Sequence, residues 1–144
     1  MNTHNDVSAG SIAMELIDDV YSVALWMTGD EASAGMLVSQ TYLNNTGFKN
    51  AASLFKAFRN VYVRSYGQEG GFGAADAMNI DDAEVARAVI NTSADFKLAT
   101  LLADMVGLSH SQIAEVLDKP VDAIRLWLRW GRKLLSVEAE EKVN

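Results

Sequence analysis

The amino-acid sequence predicts an all-α protein made of two small helical domains. Along most of the 144 residues, apolar side chains recur every three or four positions, which is the period of a helix with one buried face. No segment shows the sustained alternation of apolar and polar residues that is typical of a strand. Glycine occupies four of the seven positions from 67 to 73, as in a flexible linker. We therefore expect domains at 12–66 and 80–136, joined by a linker at 67–79.

The first domain is expected to contain three helices, at about 11–28, 31–45 and 50–66. Thr28-Gly29-Asp30 separates the first two, because glycine suits the end of a helix and Asp30 can cap the next one. Asn44-Asn45-Thr46-Gly47 separates the second from the third, since these residue types favour turns.

The second domain is expected to contain four helices, at about 81–91, 94–106, 109–117 and 120–136. Ser109 and Gln112 match a capping box, and Pro120 suits the first position of the last helix. A short capped helix, a tight turn and a longer basic helix together predict a helix-turn-helix. The apolar faces of both domains predict seven buried aliphatic side chains: Leu37, Leu54, Val61, Ile113, Leu117, Ile124 and Leu128.

The charge of the chain is unevenly distributed. Twelve Lys and Arg against nineteen Asp and Glu give a net charge of −7, which argues against indiscriminate binding to nucleic acid. Residues 48–66, however, hold four cations and no acid, and residues 119–135 hold five cations and one acid. Each segment is either a solvated basic helix face or a DNA-binding surface, and the composition leaves both interpretations open.

The last helix and the third helix supply the candidate DNA-binding residues. Three arginines of the last helix lie at i, i+4 and i+7 and share one face. The candidates are Arg125, Arg129, Arg132, Lys133 and Lys119 in the second domain, and Lys56, Arg59 and Arg64 in the first. Phe55, Phe58 and Tyr62 interleave with the cations of the third helix, where they either stack on unpaired bases or form core.

Two stretches resemble a known protein family. YSVALWMTGDEASAGMLVSQTYL (21–43) with FRNVYVRSY (58–66) resembles the first domain of extracytoplasmic-function sigma factors. GLSHSQIAEVLDKPVDAIRLWLRWGRKLL (107–135) resembles their second domain. The resemblance implies a transcription-initiation protein that binds RNA polymerase core through its second helix. It also implies that the third helix opens the minus-ten promoter element and that the last helix reads the minus-thirty-five element.

The chain departs from the family pattern in two helices and also at Ala94-Asp95-Phe96, which stands where the family usually has a Leu-Pro opening before its second-domain core. Gly35-Met36 and Ser39-Gln40 stand where the family carries an acidic pair and then Gln-Glu. Trp127 and Trp130 stand in the recognition helix, where bulky apolar rings are poorly suited to reading base edges. The alternative function is therefore a divergent, sigma-like adaptor that binds a protein, either the polymerase or an anti-sigma factor. The candidate partner-binding residues are Met36, Ser39, Gln40, Trp127 and Trp130.

Other classes of function have little support in the sequence. The chain has no cysteine and two histidines, and it shows no phosphate-binding loop, nucleophile–base pair or metal-ligand spacing. We expect no enzymatic activity, cofactor, metal or small-molecule substrate. Residues 1–11 do not resemble a signal peptide, and no apolar run reaches the length of a membrane span. A cytoplasmic protein without membrane partners is expected.

Overall fold

The computed structural model of the chain describes residues 12–43, 47–72 and 74–143, apart from the side chains of 74 and 136–143. These residues form α-helices and one π-helical turn and contain no strand, which confirms the prediction of an all-α protein. The helices are α1 (Ile17–Thr28), α2 (Glu31–Leu43), α3 (Ala51–Tyr66), α4 (Ala74–Ala77), α5 (Ala83–Asn91), α6 (Ser93–Leu101), α7 (His110–Leu117) and α8 (Val121–Val143).

Four sequence predictions fall wholly or partly on residues outside this description. The absence of a signal peptide was inferred from 1–11, the turn at 44–47 includes 44–46, and the linker at 67–79 includes residue 73. Residues 44 and 45 were also expected to end the second helix, whose described part ends at Leu43.

Local sequence signals explain where the helices begin and end. Gly29 follows α1 with a φ of 72°, in the left-handed region that glycine adopts readily, and its N–H donates to the Leu25 carbonyl at 2.7 Å. Asp30 caps α2, because its carboxylate accepts a hydrogen bond from the Ser33 N–H at 2.8 Å. The capping box of Ser109 and Gln112 opens α7. These three predictions are confirmed.

Helix α6 lies at the centre of the molecule. All nine of its residues are buried, including the polar Ser93, Asp95, Lys97 and Thr100. Helices α1, α5, α7 and α8 all pack against it. The chain then continues into a π-helical turn, Leu102–Val106, so the helix expected at 94–106 is divided between α6 and this turn.

One core joins the two halves of the chain. α3 packs on α7, and α1 packs on both α6 and the π-helical turn, so helices from 12–66 contact helices from 80–136. The buried apolar residues of both halves form a single cluster. The seven aliphatic side chains expected to be buried all belong to it, which confirms that prediction. The division into two domains stays a prediction.

The glycine-rich segment is packed against the rest of the protein. The Gln68 carbonyl accepts hydrogen bonds from the Ala94 N–H at 3.0 Å and from the Ser93 hydroxyl. A Cβ on Gly71 would overlap the Ser93 carbonyl, and a Cβ on Gly70 would overlap the Tyr62 hydroxyl. These two glycines therefore allow a close approach between chain segments, and helix α4 follows directly within the range expected to be a linker.

Candidate functional site

The cations of α8 differ in how much they interact with the protein itself. The Arg125 Nη1 lies 3.4 Å from Oδ1 of Asp122, which is one turn earlier on the same helix. The Arg132 Nε lies 3.1 Å from Oδ1 of Asp104, which belongs to the π-helical turn. Arg129 is exposed and makes no ion pair within the described part of the chain. Lys119, in the turn before α8, is half-buried.

The two ion pairs of α8 are weak. Both partners of each pair are well exposed, with side-chain exposures of 63% and 94% for Arg125 and Asp122, and 54% and 41% for Arg132 and Asp104. Exposed pairs contribute about 0–1 kcal/mol, because water and salt screen them. A phosphate could therefore displace either carboxylate, and these pairs do not exclude contact with DNA.

Arg59 on α3 makes a much stronger contact. Its Nε and Nη2 donate to the two carboxylate oxygens of Asp95 at 2.9 and 2.8 Å, which is a bidentate pair. The Asp95 side chain is only 3% exposed, and that of Arg59 is 28% exposed. The hydrogen bond to Asp95 raises the pKa of the Arg59 guanidinium. The charged guanidinium is therefore paired with a carboxylate of the protein itself. Lys56 and Arg64, the other α3 candidates, are exposed.

The aromatic residues of α3 are mostly core. Phe55 and Phe58 are fully buried, and Tyr62 is 2% exposed. The Tyr62 hydroxyl donates to the Met27 carbonyl at 3.4 Å, so even its polar end faces inward. Tyr66 is 44% exposed and continues this row of rings, with its centroid 5.1 Å from that of Tyr62. Of these four rings, only Tyr66 has a face available to a ligand.

The two tryptophans of α8 have different surroundings. Trp127 is buried and stacks on Phe96 of α6, with centroids 5.2 Å apart and planes 29° apart. Trp130 is half-buried, and the Lys133 ammonium lies 4.9 Å from its ring centroid, a cation–π contact. Trp127 is therefore a core residue, whereas Trp130 remains a candidate for contact with a partner.

Trp130 borders a groove between α8 and the segment around α4. The groove has a volume of about 450 Å³ and combines apolar with charged and amide side chains. Its lining residues are Ala75, Asp76, Asn79, Ile80, Trp130, Lys133 and Leu134.

The outer face of α2 is open, and after Glu31 at its start the helix carries no charged residue. Met36 is 62% exposed, and Ser39 and Gln40 are exposed beside it. They border a shallow depression of about 460 Å³ together with Ala32 and Gly35. A Cβ at Gly35 would meet no described atom outside the α2 backbone within 4 Å, so no described neighbouring helix requires a glycine there. The structure thus brings the three α2 candidates together on one accessible face.

Sequence reasoning missed Asp95 and Gln68. Asp95 is the buried partner of Arg59, a candidate DNA-binding residue in the other half, and Gln68 binds Asp95 from the segment between the halves. The one available signal was the acid in Ala94-Asp95-Phe96, at the start of a strongly apolar segment. A buried acid requires a partner, but the sequence does not show which of the chain's cations supplies it.

Among the described residues, no group of three or more His, Cys, Asp or Glu side chains could hold a metal ion. No described helix is both long enough and apolar enough to cross a membrane. No protein-family model matches the chain.

Proposed function

We propose that the chain is a sigma-like adaptor that binds RNA polymerase core without opening or reading a promoter. The observation that carries the proposal concerns the α3 side chains that strand opening would require. Most of them contact other parts of the protein instead of solvent. Phe55, Phe58 and Tyr62 lie in the core, and Arg59 is held by a buried carboxylate. Unpaired bases need exposed aromatic faces beside free cations, and although Lys56 and Arg64 of α3 are exposed, Tyr66 is its only exposed ring.

The outer face of α2 is the proposed docking surface. It projects Met36 into solvent and carries no charge between Ala32 and Leu43. A partly apolar surface with no charge beyond Glu31 at the helix start supports a contact made by burial and neutral hydrogen bonds. Such a contact differs from the charged docking that the sigma-factor resemblance implies for this helix.

A promoter-binding sigma factor is the second candidate function. The exposed cations Arg129, Lys56 and Arg64 favour it, since none of them has an ion-pair partner among the described residues. This candidate predicts salt-dependent binding to promoter fragments. If three or four phosphates are neutralised, the logarithm of the binding constant should fall with the logarithm of the salt concentration with a slope of about −3 to −4. Arg129→Ala should make this slope shallower by about one unit.

The proposed docking surface is tested by biolayer interferometry with purified RNA polymerase core. Met36→Glu places a charge in the contact and should weaken binding by about tenfold or more. The control is Met78→Glu, because Met78 is 84% exposed and lies outside α2. No binding of the wild-type chain contradicts the adaptor, and binding of Met36→Glu that is as tight as that of Met78→Glu contradicts α2 as its docking surface.

The same purified proteins distinguish the adaptor from the promoter-binding sigma factor. Promoter fragments with a pre-opened minus-ten element are added with and without the polymerase, over a range of salt concentrations. The adaptor predicts that the chain adds no salt-dependent DNA affinity to that of the polymerase. Added affinity that falls when Arg129 is replaced by Ala would favour the sigma factor instead.

A further inference from the structure

Three separate parts of the chain meet at Asp95. Its carboxylate accepts hydrogen bonds from Nε and Nη2 of Arg59 on α3. It also accepts a hydrogen bond from the Gln68 side-chain Nε2 at 3.0 Å. Its backbone N–H donates to the Gln68 side-chain oxygen at 2.9 Å. Asp95 itself lies in the first turn of α6. One buried side chain thus connects the first half, the glycine-rich segment and the central helix.

The segment around Gln68 is also attached through its backbone. The Gln68 carbonyl accepts from the Ala94 N–H, and the next glycines fit closely against Ser93 and Tyr62. Because Gln68 is bound through both its side chain and its backbone, its position depends on the start of α6. Movement of α3 away from α6 would break the Arg59 contact and disturb this attachment.

We propose that Arg59, Asp95 and Gln68 form a closing contact that holds residues 12–66 against residues 80–136. Its release permits the two halves to separate. The pair is suited to this role because it is bidentate, charge-assisted and largely shielded from water, unlike the exposed pairs of α8. Separation would uncover the apolar surfaces where α3 packs on α7. The closing contact consists only of side chains of this chain, so it holds whichever molecule binds α2.

The proposal differs from a purely structural role in one measurable respect. If apolar packing alone holds the halves together, loss of the charge pair lowers stability without changing the distance between them. If the pair is the closing contact, its loss creates a population in which the halves are apart while the helices remain folded.

The test uses spin labels on two introduced cysteines, which is direct because the chain has none of its own. Leu43→Cys and Ile90→Cys place one label in each half, at positions that are 79% and 56% exposed. Double electron–electron resonance should give one narrow distance distribution for the otherwise unchanged chain. Asp95→Asn and Arg59→Leu should raise a longer-distance population about tenfold.

Two further variants complete the experiment. Arg132→Ala breaks an exposed ion pair within the second half and should leave the distribution unchanged. Gln68→Ala removes one side chain of the contact without leaving a charge unpaired, so it decides the result if circular dichroism shows that Asp95→Asn does not fold. A single unchanged distance in every folded variant of Arg59, Asp95 and Gln68 overturns the proposal.

Discussion

The Thr100 hydroxyl lies in the space that a Cβ on Gly131 would occupy. Thr100 belongs to the central helix and is fully buried, and Gly131 is a buried residue of α8. The missing side chain therefore lets α8 approach α6 closely at this point. Thr100 cannot easily move aside, because it is branched at Cβ and enclosed on all sides.

Gly131→Ala should therefore destabilise the protein. Alanine is normally the better helix residue by about 1 kcal/mol, but overpacking of a buried contact costs about 1–3 kcal/mol. The matched control is Gly35→Ala, also inside a helix, where the new Cβ meets no described atom beyond its own helix backbone within 4 Å. Urea unfolding should show a loss of stability for Gly131→Ala and a gain for Gly35→Ala. A gain in both variants would mean that the α6–α8 contact is loose.

The tryptophans of α8 should differ in their contribution to stability. Trp127 is 7% exposed and stacks on the buried ring of Phe96, so Trp127→Ala should lower the free energy of unfolding by about 3–5 kcal/mol. Trp130 is half-buried, and Trp130→Ala should cost about 1 kcal/mol. Thermal and urea unfolding of both variants measure the difference. Equal losses would show that Trp130 is as much a part of the core as Trp127.

The cap of α2 should make stability depend on pH in the acid range. Hydrogen bonds from the side chain and backbone of Ser33 lower the pKa of Asp30. A lowered pKa means that the contribution of Asp30 is present above its unfolded-state pKa and is lost as the pH falls through the folded-state value. Asp30→Ala should lower the melting temperature at neutral pH, and the difference from wild type should shrink in acid.

Asp30→Ser is the control for this cap, because serine also accepts the hydrogen bond at the start of a helix but does not titrate. It should retain most of the melting temperature at neutral pH and lose the acid-range dependence that Asp30 contributes. If the melting temperature of Asp30→Ala differs from that of wild type by the same amount at every pH, the carboxylate does not contribute as a charge.

Features encoded by neighbouring residues were predictable from the sequence. The Gly29 break, the Asp30 cap and the capping box at Ser109 each depend on residues within three or four positions of one another. The face of α2 was predictable for the same reason, since helical spacing alone brings Met36, Ser39 and Gln40 together. Whether a partner covers that face depends on a second molecule.

Features encoded by distant residues were not predictable. Arg59 and Asp95 are 36 positions apart, and no local pattern distinguishes Arg59 from the exposed cations of the same helix. Gly70 and Gly71 have the composition of a flexible linker, yet they permit close contacts with Tyr62 and Ser93. The composition shows that these positions are glycines, but it does not show that atoms of Tyr62 and Ser93 occupy the space where a Cβ would lie.

Tyr62 should make the protein less stable in alkali. Burial raises the pKa of Tyr62, and the nearby Tyr66 raises it further. A raised pKa means that the contribution of the neutral phenol is fully present below the unfolded-state value, near pH 10, and is lost as the pH rises through the folded-state value. Tyr62→Phe cannot ionise, so its stability should fall less than that of wild type above about pH 9. Melting temperatures measured across the alkaline range decide the outcome, and parallel curves for wild type and Tyr62→Phe would contradict the prediction.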